Sequence, residues 1–115
     1  MYKIFFYKKS NGVMPVKELL TYLKSKNDNN SRINLRKISD TLNKMTVCGL
    51  SVGMPYIRRL EDDIWEIRAN AYRIFFFMND DEIVLLHYFI KKTNKTPILE
   101  KEKARNEKER YLSNK

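Results

Sequence analysis

The chain has few of the residues on which many enzymes are built. Its 115 residues include one cysteine, one histidine, one tryptophan, three glycines and three prolines. The lone Cys48 excludes an intrachain disulfide and fits a reducing compartment. It follows apolar residues at helical spacing and precedes Gly49, so it is expected to be a small packed residue. With His87 alone, neither a histidine pair for acid–base work nor a conventional histidine zinc site can form. There is no Gly-rich phosphate loop and no Cys/His metal spacing. Acidic residues fall mainly in turns and near the C-terminus, which argues against a two-metal carboxylate centre. No cofactor and no metal are therefore expected. Long apolar runs are also missing. "MYKIFFYKK" has only four apolar residues in a row, short of the ~7–15 of a secretory signal. No stretch approaches the ~20 of a membrane span, so the expectation is a soluble, cytoplasmic chain with no membrane partner.

What the chain does have is positive charge. Lysine and arginine number 23 against 14 acidic residues, giving a formal charge of +9 and a pI near 9.7. Such a field favours polyanions, nucleic acid first. With 43% hydrophobic residues the composition is globular, and the length suits one domain over residues 1–115.

The periodicity predicts β-α-α-β-β-β-β-α. Residues 2–7 are aromatic and β-branched, as in a strand. Pro15 suits a first helical turn, and Val16, Leu19, Leu20 and Leu23 then form one apolar face. "SKNDNNS" breaks the pattern, and Leu35, Ile38, Leu42 and Met45 begin a second helical stripe that Gly49 ends. Four β-rich runs follow, Tyr56 to Leu60, Ile64 to Arg68, Tyr72 to Met78 and Ile83 to Ile90, joined by hairpin-type connections. A charged helix from Pro97 to about Leu112 closes the chain, with Thr96 placed to cap it. The fold class is α+β: a mostly antiparallel sheet, two N-terminal helices packed on one face, and a C-terminal helix.

Basic residues on strands are the candidates for chemistry. In "DIWEIRANAYRIFFF", Glu66 and Arg68 share one strand face and Trp65 and Ile67 the other. A tight hairpin would set Arg73 beside Arg68, two planar forks within reach of one phosphate. The competing assignment pairs Arg68 with Glu66 or a turn aspartate, and Arg73 likewise. His87 lies among apolar neighbours, either as a packed histidine or, on the face of Phe89 and Lys91, near a site. The apolar strand ends in "KKTNKTP", and from Lys91 onward nine positive residues face four negative ones. Alternation places Lys91 and Lys92 on opposite faces, which leaves open the one that enters a site.

The stretch "MPYIRRLEDDIWEIRANAYRIFFFMNDDEIVLLHYFIKKTNKTPILEKEKA", with "MPVKELLTYL" upstream, resembles the HigB toxins of the phage-derived Gp49-like group, within the RelE/ParE superfamily of toxin–antitoxin systems. The resemblance implies a small RelE-like α+β toxin. Such a toxin cuts mRNA on the ribosome and is neutralised by a helix-turn-helix, HigA-like antitoxin, in a heterotetramer. It implies functional roles for Arg68, Arg73, Lys91 and Lys92, and more weakly for His87; Arg58, Arg59 and Lys95 are expected to contact RNA beside them. The expected reaction is metal-independent attack by the RNA's own 2′-hydroxyl, with the general base unassigned. The alternatives are a ParE-like toxin that inhibits gyrase by binding, or a non-catalytic RNA-binding module.

Overall fold

The computed structural model describes residues 1–114. The elements run β1 (Lys3–Phe6), α1 (Pro15–Ser25), α2 (Asn29–Cys48), β2 (Ile57–Glu61), β3 (Ile64–Ala69), β4 (Tyr72–Asn79), β5 (Glu82–Ile90) and α3 (Ile98–Ser113), with a 3-10 turn at Gly49–Val52. The five strands form one sheet in the order β1-β5-β4-β3-β2. β2 to β5 are antiparallel neighbours, and β1 joins the β5 edge in parallel. A parallel partner needs a crossover, which the two helices supply. The hairpins turn at Asp62, Asn70 and Asp80, all with positive φ, a conformation Asn and Asp tolerate.

Each face of the sheet has its own core. On one, Val16, Leu19 and Leu23 of α1 and Ile38, Leu42 and Met45 of α2 pack with Ile67, Ile74, Phe76 and Leu85. On the other, Ala104 of α3 meets Ile64, Phe75, Phe77, Val84 and Leu86. α3 has little apolar surface to bury, so polar contacts hold it: Arg105 pairs with Glu61 and Lys108 with Asp63.

Three local expectations change. α2 starts inside the polar run read as a break, because the Asp28 carboxylate accepts the Ser31 N–H at 3.0 Å and caps it. That hydrogen bond also holds the Asp28 carboxyl below the usual carboxylate range. Thr96 does not cap α3. Pro97 occupies that position, and Thr96 is buried and turned toward the sheet. Cys48, the last residue of α2, is exposed rather than packed.

A bulge in β5 decides which residues face α3. Ile74 pairs with Tyr88 but Phe76 with Leu85, so Phe75 alone faces Leu86 and His87. Both of those residues turn toward α3. Alternation then resumes, with Phe89 stacked 5.6 Å from Phe75 on the α3 side and Tyr88 in the opposite core.

Candidate active site

α3 leaves one end of its sheet face open, and there the register gathers charge. Arg58 of β2 is paired with Glu66 of β3, and Arg68 of β3 with Arg73 of β4. Cross-strand partners project to the same face a few ångströms apart, so four strand residues converge. Glu66 is fully buried. Its Oε2 lies 3.0 Å from Arg58 Nη2 and 4.0 Å from Arg68 Nε, Coulombic contacts without an aligned hydrogen bond. Thr96 reaches in from the loop before α3, its hydroxyl donating to Glu66 Oε1 at 3.4 Å.

Arg73 is 8% exposed, and Nη1 donates to the carbonyls of Asn70 at 2.6 Å and Tyr72 at 2.9 Å. These two bonds tie the guanidinium to the β3–β4 turn and fix its plane. Nε has no hydrogen-bond partner among the described residues, and neither does Nε of Arg68. Burial lowers the Arg73 pKa from its ordinary value, with Arg68 and Arg58 pushing the same way against Glu66. Lys91, just past β5, belongs to the same field. Its pKa is lowered by burial first and then by Arg73, with Arg58 and Arg68 adding and Glu66 opposing. Four cations thus surround one carboxylate, and donors remain unused. A small oxyanion would balance the charge, which is what a phosphodiester offers.

A family model described as "Phage derived protein Gp49-like" matches residues 22–109. The chain belongs to the Gp49-like family. No curated protein matches it. Among solved structures, the YoeB–YefM complex from Staphylococcus aureus is similar at a TM-score of 0.57 and 17% identity, covering 80% of this chain and 99% of that one. At that identity the likeness is one of fold, an α+β sheet-and-helix architecture.

In this Gp49-like chain the sheet brings together Arg58, Arg68, Arg73 and Lys91 of the residues singled out from the sequence. Lys91 is the lysine that faces the cluster, and Lys92 is exposed. Arg59 and Lys95 lie to one side, in a shallow groove of ≈390 Å³ that they share with Arg58, and Arg59 Nε donates to the Asp62 carbonyl at 2.5 Å. His87 stands apart. It is 1% exposed beneath α3, with Nδ1 2.5 Å from Glu107 and Nε2 3.0 Å from Glu100. The β5 bulge aims it at α3, and both nitrogens are taken by carboxylates of that helix. It therefore anchors α3, and the structure does not bring it together with the cluster.

Sequence reasoning missed two members of the cluster. Glu66 entered only as a possible partner of Arg68, and Thr96 only as a cap. A signal for Glu66 was available: its alternation puts it on a strand face that also carries Ile64, and a carboxylate on a covered face requires cations.

Proposed function

We propose that this chain is the toxin of a type II toxin–antitoxin pair and acts as an endoribonuclease on mRNA at the ribosome. The observation that carries this reading is the cluster of Arg58, Arg68, Arg73 and Lys91 around buried Glu66, at the open end of a RelE-type sheet. In the reaction the 2′-oxygen attacks the adjacent phosphorus and the bond to the 5′-oxygen breaks. The products are a 2′,3′-cyclic phosphate and a 5′-hydroxyl. Charge gathers on the phosphoryl oxygens in the transition state, and Arg73 and Arg68 are aimed at it. Preorganised cations in a partly dehydrated site are usually the largest catalytic term.

Two protons must move. Lys91, whose ammonium is disfavoured by burial and by Arg73, delivers one to the leaving 5′-oxygen. The proton of the 2′-hydroxyl passes to water at the open end of the site, since Glu66 is fully buried among its cations. Arg58, Arg59 and Lys95 follow the RNA backbone beyond the cut, with Lys92 contributing charge at the rim. The ribosome supplies the rest of the alignment, so free RNA is a poor substrate.

The similar YoeB structure is a complex with YefM, which supports an antitoxin partner for this chain. We assign that role to a small HigA-like helix-turn-helix protein that docks on the early helices, where Tyr22 is 53% exposed. Copurification with the neighbouring gene product checks the pairing, and its absence would remove it. Primer extension on a translated message tests the activity. New 5′ ends are expected in the message with the wild-type chain, persisting when a single-turnover reaction is chelated with EDTA after ribosomal complexes are fixed. Intact message with altered plasmid topology would instead identify a gyrase inhibitor. Intact message and unaltered topology, with RNA still bound, would leave a non-catalytic binding module.

A further inference from the structure

The cationic cluster opens sideways into a second, better-formed space. A cleft of ≈460 Å³ lies between α2 and the β3–β4 hairpin, within the ~300–1,000 Å³ range of small-ligand sites. Arg68 and Arg73 form one wall, and Asp40, Thr41, Lys44 and Tyr56 line the rest. Two of its own lining residues, Asn70 and Lys37, hold the cleft in shape. Asn70 at the hairpin turn donates to Asn34 of α2 at 2.7 Å and accepts from Lys37 at 3.0 Å, which locks the turn to the helix. Tyr56 is fixed beside Arg68, whose backbone N–H donates to the Tyr56 carbonyl at 2.8 Å. The residue is nevertheless 42% exposed, and the Lys44 ammonium lies 4.6 Å from the centre of its ring.

We infer that this cleft holds the nucleoside on the 5′ side of the cut, with its base against Tyr56, its 3′-phosphate on Arg68 and Arg73, and its exocyclic amine on Asp40. The inference rests on the ribonuclease reading and adds a base preference to it. Three observations converge. Arg73, more than nine-tenths buried, lines the cleft and its Nε has no hydrogen-bond partner among the described residues, so the guanidinium keeps donor capacity at that wall. An exposed aromatic ring beside phosphate-binding arginines is the arrangement that stacks single-stranded bases. Asp40 is the acidic member of a lining that is otherwise basic or neutral. A carboxylate there repels phosphate and accepts only, so it sets the orientation and selects bases that present an amine. Adenine, cytosine and guanine carry one and uracil does not.

The test uses the full-length chain and 3′-nucleoside monophosphates, with inorganic phosphate as the reference, followed by NMR titration. Wild type should bind 3′-AMP and 3′-CMP about ten- to a hundredfold more tightly than phosphate, the scale of one base–aromatic stack, and more tightly than 3′-UMP. Tyr56→Ala should bring 3′-AMP down to the level of phosphate, while Tyr56→Phe retains the ring and the affinity. Asp40→Ala should abolish the discrimination against 3′-UMP and relax the same preference in the cleavage profile of a randomised translated message. Equal binding of phosphate and all nucleotides by wild type would overturn the inference, as would Tyr56→Ala binding like wild type. If titration shows selectivity but no message is cut, the ribonuclease reading fails and the cleft stands as a nucleotide site. If message is cut without preference and titration is flat, the cleft inference alone fails.

Discussion

Replacing Arg73 by alanine should separate folding from activity, because its effects on the two differ in size. On stability the terms oppose each other. The substitution removes two charge-assisted hydrogen bonds, to Asn70 and Tyr72, worth roughly 1.5 kcal/mol each at the low end for charged donors. The carbonyls lie at a turn that water can reach, so most of that loss is recovered by hydration. In the other direction, the guanidinium sits where burial and the neighbouring Arg68 and Arg58 all disfavour its charge, and alanine relieves that strain. The net change should be within about 2 kcal/mol, which is below 10 °C in melting temperature at ~4 °C per kcal/mol. On catalysis nothing compensates. A preorganised cation lost from the transition state is worth ~3–4 kcal/mol, a hundredfold or more in rate. Circular dichroism and thermal melts measure the first quantity, and single-turnover primer extension on a translated message the second. A folded Arg73→Ala protein that cleaves within tenfold of wild type would refute the site.

Three further substitutions probe the cluster and its scaffold. Glu66→Gln keeps the shape and removes the countercharge, so stability should fall by about 2 kcal/mol, less than the ~3–5 of a fully buried pair because Arg58 is 37% exposed. Added phosphate should narrow that gap in melts by occupying the arginines, and an unchanged gap would argue against an anion site. Lys91→Met should raise the melting temperature at neutral pH while removing cleavage. A lysine whose folded pKa is depressed binds its proton less readily in the folded state. Its penalty is therefore full below that pKa and fades as pH rises toward the ordinary 10.5. Melts at pH 7 and pH 10 should show the gain shrinking, and a fall at pH 7 would contradict the assignment. Gly49→Ala should destabilise by roughly 2–3 kcal/mol without altering the site in the folded fraction. Gly49 has φ +58 at the end of α2, and an added Cβ would lie 2.6 Å from the Tyr2 ring. Denaturant melts would show it, and wild-type stability would refute the close approach.

Much of the scaffold could be read from the residues. Alternation in "IWEIRA" and "YRIFFFMN" placed Arg68 and Arg73 on a common face, and the short hairpin made them neighbours, because a two-residue turn leaves the register little freedom. Composition pointed toward polyanions, and the leucine and methionine stripes of α1 and α2 located one core. The polar start of α2 was hidden, since a run of Asn, Asp and Ser reads as a break until one aspartate is seen to cap the following turn.

Contacts distant in sequence had to come from the tertiary structure. The β5 bulge is one extra residue opposite Phe75, which no local pattern announces, and it turns His87 toward Glu100 and Glu107 while setting Lys91 toward the arginines. Glu66 and Thr96 are 30 residues apart and meet only because the loop before α3 folds over the open end of the sheet. Which lysine faces the cluster, and which ring and carboxylate line the cleft beside it, depended on that same packing. Local sequence determined the strands, their faces and the excess of cations, because those follow from short-range periodicity and composition. Where the cations converge, and what they surround, depended on long-range strand register and on the docking of α2 and α3, which bring together residues that the sequence keeps apart.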